Sequence, residues 1–187
     1  MVIQVGQMNT RLTIPDEWKV LSIGIPVERA DVILVDEQIK IPRMDVLQRR
    51  VVRGDVCDLP FDENEFDFAL IVGAMEQLRD PGAFCARIEK VARLGFFEAV
   101  SPFQEWLAPM HEHHWMIGGE NETVKFYPKP RGWTGYSECF SDLFFRSAYS
   151  TVLQGDVSKS PCMFVRFAWD GPFECKVEHG PHPGFAR

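Results

Sequence analysis

Four short apolar runs, each bounded by turn residues, constrain this chain more than any other feature in it. They are Val20 to Ile23, Val32 to Val35, Phe68 to Val72, and Phe96 to Val100, the last interrupted by Glu98. Runs without polar alternation suit strands buried on both faces, and such strands build parallel sheets covered by helices. Between the third and fourth runs lies the clearest helix signal. Asp80 is placed to cap it, Pro81 takes the first helical position, and Phe84, Ile88, Val91 and Ala92 repeat at helical spacing. Gly95 is expected to end this helix, with Arg87, Glu89, Lys90 and Arg93 on its solvated side. Strand, helix, strand is a βαβ unit with a right-handed crossover. The sheet is therefore expected to be at least partly parallel.

Beyond about residue 100 the texture changes, with Trp106, Trp115, Trp133 and Trp169 appearing among turn residues. Thr123 to Tyr127 reads as a strand after the turn-rich GGENE. Met163 to Trp169 and Phe173 to Val177 flank an Asp170-Gly171 turn and read as an antiparallel hairpin. Phe140, Phe144 and Phe145 fall at helical spacing and suit a core or a dimer contact. No linker divides the chain, so residues 1–187 are expected to form one domain.

Composition removes several classes of function. The net charge is −7 with no long block of either sign, which argues against nucleic acid and anionic membranes as partners. The start, MVIQVGQMNTRL, lacks the basic and apolar regions of a secretory signal, and no apolar run approaches the roughly 20 residues that span a bilayer. Cys57, Cys85, Cys139, Cys162 and Cys175 are odd in number and contain no C-x-x-C pair; they read as reduced thiols of a cytoplasmic protein. Phosphate-loop, serine-elbow and catalytic Cys-His signatures are missing.

In an open α/β sheet, ligands bind beyond the carboxyl ends of the strands. Gly24 follows the first apolar run, Asp36 and then Glu37 follow the second, and GAMEQL, Gly73 to Leu78, follows the third. A carboxylate at the position of Asp36 offers two oxygens to the vicinal hydroxyls of a ribose. Held open for a ligand, it needs no protein partner, and its removal is expected to cost little stability.

The segment GDVCDLPFDENEFDFALIVGAMEQLRDP, residues 54–81, closely resembles, without a gap, a stretch of the class I S-adenosylmethionine-dependent methyltransferases. Upstream, VLSIGIPVERADVILVDE resembles a sub-group in which a short link replaces the helix between the first two strands; downstream, RIEKVARLGFFEAVSP and HHWMI resemble that sub-group too. The resemblance covers about residues 18–127, leaving 128–187 as a C-terminal extension. It implies a Rossmann-like methyltransferase fold, truncated after the first strand, with an antiparallel C-terminal extension. It further implies S-adenosylmethionine as cofactor and a small-molecule or carbohydrate-like acceptor. Gly24 would meet the methionine end, Asp36 the ribose, and Asp55 the adenine amino group, with Val56 and Cys57 as backbone contacts. Gly73 lies in the same cofactor-facing set, while Glu76 with His113 or His114 would face the acceptor as catalytic residues.

The departures from the family keep a second reading open. Where members usually carry an acidic residue and Gly-x-Gly, this chain has Ser22, Ile23, Gly24, Ile25 and Pro26. Pro26 has no N–H for a carboxylate and Ile25 narrows the space. Histidines common in the family are replaced by Gly73 and Gln77, with Glu76 retained. The alternative is a degenerate domain without cofactor that serves as a binding or assembly module. His111, His113 and His114 with Glu112 lack a completing ligand at metal-site spacing, so no metal is expected. The short IPVERA link leaves one sheet face thinly covered, and the late aromatic residues are expected to cover it, within the chain or across a homodimer.

Overall fold

The computed structural model describes residues 2–5, 10–25, 27, 29–36, 50–120, 122–130, 161–180 and 182–183. Pro26, Glu37, Cys139 and the Phe140, Phe144, Phe145 group lie outside them.

A hairpin of β1 (Val2–Val5) and β2 (Thr10–Thr13) precedes the main sheet. That sheet holds β3 (Val20–Gly24), β4 (Val32–Val35), β5 (Arg50–Arg53), β6 (Phe66–Val72), β7 (Ala92–Val100) and β10 (Phe164–Asp170), in the order β10-β7-β6-β3-β4-β5. All neighbours run parallel except β10, which pairs antiparallel with β7 at one edge. This is the expected α/β architecture with a parallel sheet and an antiparallel late strand. Residues 25–31 carry the chain from the end of β3 back to the start of β4. Seven residues span at most about 25 Å when extended, so there is no length for a crossover helix and β3 and β4 stay short.

Helix α1 (Pro81–Val91) joins β6 to β7, with Asp80 accepting from Ala83 N at 2.9 Å as its cap. Phe84, Cys85, Ile88 and Val91 are each at most 2% exposed, and burial of such apolar side chains is worth roughly 1.5–3 kcal/mol apiece. The helix ends at Val91 rather than at Gly95, because Ala92 is already extended and begins β7. Gly95 instead sits inside β7 opposite Trp169 of β10, whose ring lies where a Cβ would be, 2.0 Å from it. The glycine is a notch for the indole, which donates from Nε1 to Ala92 O at 3.2 Å. Arg93 accordingly pairs with Asp170 across the strands.

The expected late hairpin does not form. The chain turns at Gly171, but β11 (Glu174–Val177) leaves β10 and pairs parallel with β9 (Thr123–Pro128), which is itself antiparallel to β8 (Trp115–Glu120). This third sheet and α1 cover one face of the main sheet, and Trp115, Phe126, Phe167 and Trp169 pack there with Leu21, Ile71 and Phe97. On the opposite face, Val20, Leu70, Val72 and Phe96 are covered by Leu12, Ile14, Trp18 and Val27. Among the described residues, the thinly helical face is thus closed by the N-terminal segment rather than by the late Trp and Phe residues. A short helix α2 (Pro102–Leu107), capped by Ser101, follows β7 at the carboxyl edge. No described helix is long and apolar enough to cross a membrane.

Candidate functional site

The parallel strands deliver their carboxyl ends to one edge, and the residues singled out in the sequence lie along it in two groups. On the β4–β5 side, Asp36, Asp55, Val56, Cys57, Gln77, Leu78 and Arg79 line a shallow cleft that encloses almost no water-accessible space. Drug-sized ligands occupy sites of roughly 300–1,000 Å³, so side chains must move apart before this cleft admits such a molecule. Asp55 caps the short turn Val56–Asp58 by accepting from Cys57 N at 2.8 Å, and its other oxygen pairs with Arg79 at 2.5 Å. Asp36 is buried and accepts from Val56 N at 2.9 Å. The expectation that Asp36 stands without a protein partner is therefore wrong: the turn after β5 folds back so that its first N–H meets this carboxylate. Both backbone N–H groups expected to meet adenine, those of Val56 and Cys57, already have protein acceptors. Burial pushes the Cys57 thiol up from its ordinary range, against the pull of its bond to the Asp80 carbonyl.

At the switch point between β3 and β6 the backbone closes on itself. Gly24 has φ +86, and a Cβ there would stand 2.1 Å from Val72 O. Only glycine permits that approach. Ile25 N donates to the same carbonyl at 2.8 Å. Gly73, also at positive φ, lies beneath the Ile25 side chain, 3.3 Å from its Cδ1 to a Cβ position. Gln77 donates to Gly73 O at 3.3 Å.

On the β6–β7 side a buried polar cluster stands behind the turn Met75–Gln77. Glu76 is 1% exposed; its Oε1 accepts from Val100 N, while Oε2 is buried without a partner. His113 Nδ1 contacts Glu105 Oε2 at 2.7 Å, and Lys129 donates to Glu105 Oε1. His114 is exposed but anchored through its backbone, donating to Glu76 O and accepting from Lys129 N, each at 2.8 Å. Trp115 donates to Leu78 O at 2.7 Å, so the entry to β8 is pinned to the same turn. Nearby, Glu98 pairs with Arg166 at 2.9 Å.

Charge and burial compete within this cluster. Burial raises Glu76 above the usual carboxylate range despite the neighbouring His113. For Glu105 burial acts upward, but the hydrogen bond from His113 and the charges of His113 and Lys129 hold it below that range. Burial acts downward on His113 and is outweighed by Glu105 and Glu76, which raise it. Glu98 is raised by burial, partly offset by Arg166. Glu105 and Lys129 escape sequence reasoning because neither lies at a motif position relative to His113. Ser101-Pro102 does announce the helix that carries Glu105. Among the described residues no three His, Cys, Asp or Glu side chains are grouped to hold a metal ion.

This strand order is a Rossmann-like α/β architecture, with the singled-out residues at the carboxyl edge of its parallel strands. Residues 26–96, from the β3–β4 link into β7, match the family model described as a methyltransferase domain. Similar solved structures include a methyltransferase of Mesorhizobium loti, at 11% identity over 83% of this chain and 92% of that one, with TM-score 0.43. Another, from Methanosarcina mazei, has 11% identity over 86% and 95%, with TM-score 0.43. A Thermotoga maritima methyltransferase is 18% identical over 47% of this chain, with TM-score 0.37, and this chain spans about half of it, 46%. No curated protein matches the chain.

Proposed function

We propose that this chain is a methyltransferase-family domain that keeps the nucleoside half of the site and has lost the methionine half, so that it works as a nucleoside-binding module. The observation that carries this reading is at Ile25. A methionine carboxylate needs backbone N–H groups in the loop after the first central strand, here β3. The Ile25 N–H is taken by Val72 O, and residue 26 is a proline with no N–H at all. The nucleoside half fits better. Asp36 and Asp55 line one cleft, and a carboxylate has about four acceptor sites, so Asp36 can accept from a ribose hydroxyl beside its protein partners. S-adenosylmethionine would supply an activated methyl group, but with the methionine end unsupported no transfer step follows from these residues.

The second reading, a transferase for a small-molecule or carbohydrate-like acceptor, is favoured by Glu76 and His113. They lie in one buried polar cluster beside the cleft, although neither is open to solvent. Calorimetric titration of the protein with adenosine, with S-adenosylmethionine and with its demethylated product separates the two. The module binds adenosine and S-adenosylmethionine with affinities within about threefold. A preference for S-adenosylmethionine above tenfold, about 1.4 kcal/mol, overturns it in favour of the transferase; no heat with any nucleoside removes both readings.

A further inference from the structure

Seven residues line the cleft, and six of them are fixed in place. Asp36 is buried and bonded to Val56 N, and Val56 itself is 2% exposed in the core. Asp55 is held by its cap bond from Cys57 N, and Cys57 Sγ donates to Asp80 O at 3.5 Å. Gln77 is tied to Gly73 O, while Leu78 is 1% exposed and its carbonyl accepts from Trp115 Nε1. Arg79 is the exception. Its side chain is 58% exposed, and among the described residues it is tied down by one contact, the Nη2 bond to Asp55 on the facing wall of the cleft.

We infer that Arg79 is the gate of this cleft: its ion pair with Asp55 holds the cleft shut, and its swing into solvent opens it. The closed state is a matter of geometry, since with the pair made the cleft encloses almost no water-accessible space. The way it opens follows by elimination. Moving any other wall residue breaks a hydrogen bond to the frame or uncovers core, whereas the guanidinium trades one carboxylate contact for water. An ion pair this exposed is weak, so it favours the closed form by no more than about fivefold.

Opening also sets what the cleft selects. Once Arg79 leaves, the Asp55 oxygen it held lacks a donor, while the other stays on Cys57 N. A ligand that keeps the gate open replaces the guanidinium with an N–H of its own, because a carboxylate accepts and does not donate. The class that fits therefore carries an amino or amidine group at this end, and a ligand that presents a carboxylate or phosphate there is repelled.

Cys57 lines the cleft and reports the gate without any ligand, so the test stands apart from the nucleoside reading. The full chain is alkylated with iodoacetamide, a small neutral reagent, and mapped by peptide mass, with the rate at Cys57 taken relative to that at exposed Cys162. In Arg79→Ala this ratio is expected to rise about two- to fivefold. Burial sets the Cys57 thiol high and the Arg79 charge acts the other way, so losing that charge slows the thiol and cannot mimic the rise. A ratio no higher than the parent's overturns the gate. The parent protein supplies a second measurement, NMR relaxation of the arginine Nε–H groups. Arg87, bonded to the carbonyls of Leu59 and Phe61, is the anchored standard, and Arg79 is expected to move far more freely on the nanosecond scale. An Arg79 as rigid as Arg87 overturns the gate even where the variant does not fold.

Discussion

The Asp36–Asp55 cleft and the Glu76–Glu105–His113 cluster share one sheet edge but treat charge in opposite ways. In the cleft, Asp55 and Arg79 pair half in solvent, with side chains 37% and 58% exposed. Behind the neighbouring turn, Glu105 is 2% exposed at its side chain and is bonded to His113 and Lys129. Exposed pairs are screened and worth little, whereas removing one member of a buried pair strands the other. The Asp55–Arg79 pair is thus adjustable without harm to the fold, and the cluster is part of what holds the edge together. A binding surface can drift on such a frame while the frame stays fixed.

The largest effect is expected where that contrast is sharpest. Glu105→Ala leaves buried His113 and partly buried Lys129 without their carboxylate and should cost about 3–5 kcal/mol in urea unfolding; a cost below about 1 kcal/mol would mean that the cluster does not hold the fold. The same network predicts a pH profile. Glu105 is held low, so its contribution is present above its unfolded value near 4.5 and is lost as pH falls through the lower folded value. His113 and Glu76 are held high, so theirs are present below the unfolded values near 6.5 and 4.5 and are lost as pH rises through the folded ones. Stability should therefore decline on both sides. Glu76→Gln keeps an acceptor for Val100 N and removes one of the groups on the alkaline side. Its melting temperature should fall less than that of the parent as pH rises above about 4.5; an unchanged slope would show that Glu76 takes no part in the alkaline decline.

Asp36 lies between the two regimes, buried yet on the cleft. Asp36→Ala leaves the Val56 N–H without its acceptor, and a buried donor so stranded costs about 1–3 kcal/mol. Asp36→Asn keeps an acceptor oxygen and should lose well under half as much. Melting of both variants checks this, and an alanine variant as stable as the parent would mean that water replaces the carboxylate, making Asp36 a cleft residue like Asp55.

What the sequence made legible is what local chemistry decides. Uninterrupted apolar runs marked β3, β4 and β6, and Asp80-Pro81 marked the start of α1, because burial on both faces and capping are written in neighbouring residues. The acid after β4 and the Gly-Asp after β5 were found at the same edge because parallel strands place successive carboxyl ends together. Partner choice is not local. The Asp170-Gly171 turn has the chemistry of a hairpin, with Gly171 at φ +85, but β11 packs partly buried Cys175 against the core and pairs with Val124 and Phe126 of β9. Gly95 looked like a helix stop because the indole that requires it is 74 residues away, at Trp169. Glu105, His113 and Lys129 meet only once α2, β8 and β9 have docked, and no periodicity links them.

The smallest expected effect tests the comparison from the exposed side. Arg79→Ala removes the ion pair with Asp55, which at this exposure should change stability by no more than about 1 kcal/mol, and by less at high salt. Ligand binding should respond differently. Arg79 occupies an Asp55 oxygen that the proposed module would offer to an adenine amino group, so its removal leaves that oxygen more available while the bond to Cys57 N keeps the carboxylate in place. Adenosine affinity should therefore stay level or rise a few-fold in Arg79→Ala and fall about tenfold in Asp55→Ala, the loss of one charge-assisted hydrogen bond. Calorimetry on the two variants at low and high salt reads both quantities. If Arg79→Ala instead weakens adenosine as much as Asp55→Ala does, the guanidinium itself holds the base, and Asp55 serves to position it.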